Sequence, residues 1–345
     1  MSTNGTEPQG VRLDRRAVLG AAGAALAAGF VAPRMAIAQA EPGPVSGLDF
    51  SGATTSVYHH RVGSIDVLIV SDGLFPVATP AVGTNAARDD VNAWLAGEFL
   101  GAESFQTPLN TMVVRSGDRL VLVDAGMGEL AGMGDAAGRT LERLRAAGVD
   151  PRRITDVVLT HLHPDHIGLL ISGDGLGAFS PEVTVHVSAR EVEFWSQPAD
   201  AVVSALSTLA PEFRPAATGA AKEALRVAGS RLKTFSAQDD EIVPGVVGRI
   251  TPGHTPGHAT IRVESGEESL AFVGDAILWT SFDHPDWNVM FDTTPDQAVR
   301  TRARMLERFA RRGTVMCAAH LSFPSLGRVA RRGESYRFVP LMWGH

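Results

Sequence analysis

The chain has 345 residues, with 31 Lys and Arg against 38 Asp and Glu, a formal net charge of −7. An acidic balance of this kind excludes nucleic acid as an expected partner, because phosphate binding needs concentrated Lys and Arg. A single cysteine, Cys317, excludes an internal disulfide and, in the apolar run TVMCAA, reads as packing.

The first forty residues read as an export address. Arg15 and Arg16 precede an uncharged Ala- and Gly-rich run, Ala17 to Ala32, and small-residue sites follow at Ala36-Ile37-Ala38 and Ala38-Gln39-Ala40. Twin arginines, an apolar segment and an A-x-A site predict a Tat signal over 1–40 and a periplasmic or secreted product. The apolar run is too short and glycine-rich for a span of about 20 residues, so no stable membrane association is expected once it is removed. Without residues 1–40, which hold four basic and two acidic residues, the net charge becomes −9. A short linker over 41–54 and a single domain over 55–345 are expected, since no internal repeat or low-complexity linker follows Pro44.

Strand-like runs come first in that domain: VYHHR (57–61), IDVLIVS (65–71), NTMVVRS (110–116) and RLVLVDA (119–125), the last two joined by a turn at Gly117-Asp118. A helix is expected from Gly138 to Ala147, with Leu141 and Leu144 on one face and Gly148 and Pro151 closing it. The buried-strand pattern ITDVVLT (154–160) runs directly into His161; VTVHVS (183–188) is another strand, followed by the helix AREVEFW (189–195). Residues 199–229 read as one or two helices broken near Pro211 and Pro215. RLKTFS, VVGRIT, ATIRVE and SLAFVGD are strands, 295–312 is a basic amphipathic helix, and TVMCAA (314–319) is a strand that ends at His320. This order predicts an α/β protein in four αββα layers, two stacked sheets with helices outside.

THLHPDHIG, Thr160 to Gly168, places His161, His163, Asp165 and His166 within six residues. In an extended segment residues i and i+2 point the same way, so His161 and His163 can grip one ion together. Pro164 then turns the chain and sends Asp165 and His166 elsewhere. Two ions about 3.5–4 Å apart can share such a loop where one cannot. Further ligands are sought just past strand ends: His254 in TPGHTPGH (251–258), Asp275 in VGDAIL (273–278) and His320 in AAHLSFP (318–324). The expected first ion takes His161, His163 and His254, the second takes Asp165, His166 and His320, and Asp275 bridges them beside a shared, ionisable water. Asp165 and Asp275 are therefore the expected catalytic carboxylates, working with a bridging hydroxide. Imidazole and carboxylate suit two divalent ions per chain, zinc first, with manganese, cobalt or iron also compatible. His258 is expected to stabilise the turn or support the ligands rather than bind, and Phe105 precedes a strand that leads toward the cleft.

With these residues in place the chain resembles the metallo-β-lactamase superfamily, whose H-x-H-x-D-H signature stands here as His161 to His166. The resemblance implies the αββα sandwich, a hydrolase domain over 55–345 and metal roles for His161, His163, Asp165, His166, His254, Asp275 and His320. It also implies that Asp124, in VLVDAG, supports the metal histidines from behind. Within the superfamily FQTPLNT, LVLVDAG, THLHPDHIG, GHTPGH, AAHLSFP and SYRFVP are similar, in the same order, to the methyl parathion hydrolase branch and related lactonases. That branch implies cleavage of an ester-type bond in an aryl ester, a lactone or an organophosphate triester, and Trp195 as a pocket-wall aromatic. An N-acyl homoserine lactonase is the alternative; a β-lactamase, an iron oxidoreductase and a non-catalytic periplasmic metal-binding protein are more distant ones. The partner is a small molecule. Oligomeric state is left open, a homodimer being compatible.

Overall fold

The computed structural model describes residues 56–130, 136–236 and 238–342. The expected export segment at 1–40 and the linker at 41–54 lie outside the described residues.

Two seven-stranded sheets are present. The first runs spatially in chain order: β1 (Val57–Val62), β2 (Ile65–Ala78), β3 (Ser104–Ser116), β4 (Arg119–Val123), β5 (Asp156–Val158), β6 (Thr184–Ser188) and β7 (Leu232–Phe235). The second is β8 (Asp240–Val243), β9 (Val246–Ile250), β10 (Ala259–Ser265), β11 (Glu268–Phe272), β12 (Val315–Cys317), β13 (Gly327–Arg332) and β14 (Ser335–Pro340), again in sequential order. Both sheets are mixed. Pairing is antiparallel from β1 to β4 and parallel from β4 to β7, while in the second sheet β11 and β12 are parallel and their neighbours antiparallel. The helices are α1 (Arg88–Gly97), α2 (Thr140–Ala146), α3 (Pro164–Ile171), α4 (Ala189–Trp195), α5 (Ala199–Ala205), α6 (Arg214–Ala228) and α7 (Pro295–Arg312).

The period of two along the strands builds the layers. Val67, Ile69, Met112, Val121 and Val123 of the first sheet pack with Ile261, Val263, Leu270 and Phe272 of the second in one central core. The alternate residues Val70, Val113 and Leu122 face outward onto Leu144 of α2, Ile167 of α3, Trp195 of α4 and Ala221 of α6. On the other side Ala271 and Met316 meet Met305, Leu306 and Phe309 of α7. The chain therefore has the metallo-β-lactamase fold, as expected. Among the described residues no helix is long and apolar enough to cross a membrane.

Several expected boundaries differ. β2 continues seven residues past Ser71 and β3 starts at Ser104, through Pro76 and Pro108, because the long antiparallel pairing outweighs the poor strand propensity of proline. Pro215 opens α6 within its first two positions instead of breaking it, a place where a missing N–H costs nothing. The same applies at Pro164: the loop does not merely turn there but starts α3, with Asp165 in its first turn. α1 and the β13–β14 hairpin carry no expectation from the sequence patterns read above.

Candidate metal centre

The cluster is carried just past strand ends, with Asp165 and His166 in the first turn of α3 beyond β5, and all these strands end on one side. Asp124 follows β4, the His161–His163 loop follows β5, His254 follows β9, Asp275 follows β11 and His320 follows β12. Short buried strands thus fix the start of each loop, while the loop carries the chemistry.

The seven expected side chains come together in three groups: His161, His163 and His254; Asp165, His166 and His320; and His161, His166 and Asp275, which overlaps both. Nε2 of His161 lies 3.0 Å from Nδ1 of His163, which lies 2.9 Å from Nε2 of His254. Asp165 Oδ2 lies 3.4 Å from His166 Nε2 and 3.3 Å from His320 Nε2. Asp275 stands between the groups: its Oδ2 is 3.3 Å from His254 Nε2 and 3.2 Å from His320 Nε2, and its Oδ1 is 3.2 Å from His166 Nε2. His161, His163, His166, His254, Asp275 and His320 are all buried.

The hydrogen bonds behind the rings fix which nitrogens face inward. His166 Nδ1 donates to Asp124 Oδ2 at 2.7 Å, His254 Nδ1 to Asp292 Oδ1 at 3.0 Å, and His320 Nδ1 to the Pro108 carbonyl at 2.8 Å. Thr160 Oγ1 donates to Asp124 Oδ2 at 2.9 Å, so at 3.0 Å it accepts from Nδ1 of His161. Each of these four imidazoles, in its neutral form, is left with a lone pair on Nε2. Lone pairs converging on buried carboxylates repel unless a cation sits among them. His166 Nε2 and Asp275 Oδ1 have no hydrogen-bond partner although both are buried. The donor set, imidazole nitrogen and carboxylate oxygen, fits divalent ions such as zinc.

The electrostatics agree. Burial, followed by the charges of His166 and His163, holds His161 well below its ordinary value. Burial and then His254 push His163 down to about 3. Burial would also depress His166 and His320, but carboxylates outweigh it: Asp275, Asp165 and Asp124 raise His166, and Asp275 with Asp165 lifts His320 to about 10. Burial by itself would raise Asp165 and Asp275, yet the surrounding histidines hold both below the usual carboxylate range. The carboxylates that attract protons here would act in the same way on a metal ion.

The supporting residues explain how the loops hold still. Asp124 adopts φ +58°, uncommon for a side-chain-bearing residue, while its carboxylate accepts from Thr160 N, Thr160 Oγ1 and His166. His258 does not point at the cluster as a ligand. Its Nε2 accepts from the backbone N–H of Asp275 at 3.1 Å and its Nδ1 donates to Thr251 Oγ1 at 2.9 Å. This close approach needs Gly274, whose φ is +51° and where a Cβ would stand 2.7 Å from His258 Nε2.

Trp195 is wholly buried and does not line the cavity beside the cluster, contrary to a pocket-wall position. Its ring packs edge-on at 6.0 Å from His163, and its Nε1 donates to Glu191 Oε1 at 2.7 Å. Phe105 does line the cavity and meets Trp279 edge-on at 4.7 Å.

Four residues carry weight that sequence reasoning missed. Glu191, fully buried, accepts from Leu162 N, Trp195 Nε1, Thr255 Oγ1 and Gly257 N, tying the His161–His163 loop to the His254 loop. Burial raises its pKa and those donors partly offset the rise. Asp292 holds His254 and is itself held by buried Arg302 at 3.2 Å. Asn110 donates from Nδ2 to the carbonyls of Ala318, Ala319 and Leu321 and so fixes the His320 loop from the first sheet. Asp72, at the β2 bulge, accepts from Met127 N, Gly138 N and Thr140 N. A polar residue inside an apolar run is the available sequence signal for Asn110 and Asp72.

The cavity that opens beside the cluster has a volume of about 460 Å³. Asp165, Asp275, His163, His254 and His320 form its polar end, and Phe105, Leu209, Trp279, Met290 and Phe291 are part of a largely apolar wall. Among the described residues that line it there is no Lys or Arg.

Comparison with known proteins returns the same class. The metallo-beta-lactamase superfamily profile matches residues 106–320. The probable metallo-hydrolase YqjP of Bacillus subtilis (strain 168) is 32% identical over 180 residues, 49% of this chain and 53% of that protein, so the chain spans about half the length of this curated relative. Among solved structures, AidC, a dizinc quorum-quenching lactonase in complex with the product N-hexanoyl-L-homoserine, has a TM-score of 0.77 at 25% identity, covering 84% of this chain and 99% of that one. The hydrolase AbOPH, described as in the beta lactamase superfamily, has a TM-score of 0.74 at 29% identity, covering 85% of this chain and 99% of that one.

Proposed function

Because the chain belongs to the metallo-β-lactamase superfamily, we propose that it is a binuclear-metal hydrolase of ester-type bonds in neutral, lipophilic substrates. The observation that carries this reading is the Asp275 carboxylate, whose Oδ2 lies within 3.3 Å of both His254 and His320, one histidine from each half of the cluster. His161, His163 and His254 would hold one ion, Asp165, His166 and His320 the other, with Asp275 shared. Divalent ions held there supply Lewis acidity toward a scissile carbonyl or phosphoryl group and make a water nucleophilic near neutral pH.

The protein's own residues do the rest. Asp124, Asp292 and the Pro108 carbonyl keep the histidines in one tautomer and orientation. Asp165, at the polar end of the cavity, is placed to pass a proton toward a leaving alkoxide or phenolate. The apolar wall excludes water and seats the organic part of the substrate.

Charge narrows the substrate. Among the described residues the cavity wall has no Lys or Arg to pair with a substrate carboxylate, which disfavours β-lactams and suits lactones, aryl esters and phosphotriesters, all neutral. A lactone with an acyl chain is the favoured member, supported by the apolar cavity and by the likeness to AidC, a lactonase seen with an acyl homoserine product. Export through the twin-arginine route, with the cluster loaded before transport, is part of the same proposal and rests on Arg15 and Arg16.

Elemental analysis combined with a panel of acyl lactones, aryl esters and aryl phosphotriesters, before and after chelation, tests the reading. Two ions per chain and chelator-sensitive hydrolysis are expected. Metal-replete protein that hydrolyses none of the panel would instead indicate a non-catalytic metal-binding protein.

A further inference from the structure

We propose that a second cleft, at the opposite ends of the strands from the metal cluster, is a binding site for a small multivalent oxyanion, phosphate- or carboxylate-bearing. β11 and β12 begin at this cleft, at Glu268 and Val315, and run toward Asp275 and His320. The cleft encloses about 480 Å³, comparable to the catalytic cavity, but its character is reversed. Arg61, Arg262, Arg308, Arg312 and Arg328 line it, against Glu264, Glu267 and Glu268. An excess of guanidinium in one place is notable in a chain whose net charge is −7.

The arginines come from separate elements. Arg308 and Arg312 lie one turn apart on α7, Arg262 projects from β10 and Arg328 from β13. Arg262 is paired with Asp239 at 2.6 Å and Glu264 at 3.1 Å, yet its buried Nε has no partner. Among the described residues neither Arg308 nor Arg312 has a carboxylate within ion-pair reach. Arg308 is half-buried, its guanidinium 5.7 Å from the centre of the Phe309 ring. Burial, then the charges of Arg249, Arg262 and Arg312, hold Arg308 below its ordinary value, although Asp239 opposes them.

Basic residues in a last helical turn complement the negative end of the helix dipole, which accounts for Arg312. Arg328 likewise donates to the Gly313 carbonyl at the end of α7, and Arg61 lies 3.7 Å from Asp66. The helix end does not account for Arg262, which reaches the same space from β10 with its Nε unpartnered. Arg262 and Arg308 are half-buried while Arg61, Arg312 and Arg328 are exposed. Half-buried guanidiniums crowded by further arginines are unfavourable without enough counter-charge, and their planar donor forks match phosphate and carboxylate. The volume exceeds that of a bare ion, so an organic phosphate or polycarboxylate fits. The site needs no metal and stands apart from the proposed hydrolysis.

Calorimetric titration of the full metal-loaded chain with inorganic phosphate and with citrate, at constant ionic strength set by chloride, tests this. Three proteins are compared: the unmodified chain, an Arg308→Ala/Arg312→Ala double variant and an Asp275→Ala variant. Saturable binding of at least one probe is expected, weakened tenfold or more in the double variant and retained in Asp275→Ala. The stronger of the two probes distinguishes a phosphate from a carboxylate ligand. Should the double variant fail to fold, exposed Arg312→Ala alone is expected to weaken binding at least threefold. Absence of binding to the unmodified chain overturns the proposal. So does binding that survives the arginine substitutions and disappears in Asp275→Ala, because the anion then sits at the metal cluster.

Discussion

The backbone N–H of Asp275 donates to Nε2 of His258 at 3.1 Å. A histidine inside the motif GHTPGH is thereby fixed as an acceptor that aims the carboxylate standing between the two halves of the cluster. Burial and then the charge of His254 push His258 down to about 3, so it remains neutral at physiological pH and keeps that acceptor. His258→Ala leaves the buried N–H unsatisfied, at a cost of about 1–3 kcal/mol. Metal affinity is expected to fall about tenfold, in line with the loss of an outer partner at metal sites. Urea denaturation and competitive metal titration check the two effects separately.

Asp275→Ala removes the carboxylate that reaches both halves of the cluster. Both ions are expected to be lost or reduced to substoichiometric content, with hydrolysis down by at least about a thousandfold, near what removal of a metal's charge stabilisation costs. Elemental analysis on the purified variant decides it; full activity with two ions retained would remove the bridging role.

Glu191 is a positioning residue, since it touches neither cavity nor cluster but binds two ligand-bearing loops. Glu191→Ala strands four donors that the carboxylate now satisfies. The expected destabilisation is about 3 kcal/mol or more. Metal affinity should drop in parallel, with Glu191→Gln intermediate in both. A variant that loses stability but binds metal with unchanged affinity would reduce Glu191 to a purely structural role.

Asp156 supplies a pH test far from the metal cluster. Burial would raise its pKa, but hydrogen bonds from His186, Arg119 and Thr155 outweigh burial and hold it at about 2 against 3.8 unfolded. A depressed carboxylate contributes stability that is present above the unfolded value and is lost as pH falls through the folded one. The stability difference between the unmodified chain and Asp156→Asn should therefore be complete above about pH 5 and shrink between about pH 4 and 2. Urea midpoints measured across that range show it; a gap that widens on acidification contradicts the assignment.

Phe105 lines the apolar cavity against Trp279. Phe105→Leu removes part of that wall while keeping an apolar side chain, and KM for long-chain acyl lactones should rise about tenfold, within the 1–3 kcal/mol expected for a pocket contact. The turnover number and the KM of a short-chain ester should move little. Steady-state kinetics over a chain-length series separate this from a general loss of fold.

The histidine loop, the strand-end His and Asp residues and the layered α/β pattern were all legible along the chain. Local chemistry sets them: strand alternation, the i, i+2 geometry of His161 and His163, and residue types that bind metal. Pro76, Pro108 and Pro215 misled the boundaries, because pairing and helix N-termini tolerate proline where propensity does not. Trp195 could not be placed, since an aromatic at a helix end packs inward or outward according to what covers it. Glu191, Asp292 and Asn110 were invisible for a related reason: each meaning comes from a partner on another loop or strand.

The sequence by itself determined which side chains could bind cations and that short buried strands would carry them, for these depend on residue type and near-neighbour spacing. Only the tertiary structure decided which nitrogen of each histidine faces inward, that one carboxylate reaches both halves, and that, among the described residues, one cavity is lined without Lys or Arg while the other collects arginines. Those facts depend on distances between loops far apart in the chain, and such distances are set by how two sheets pack.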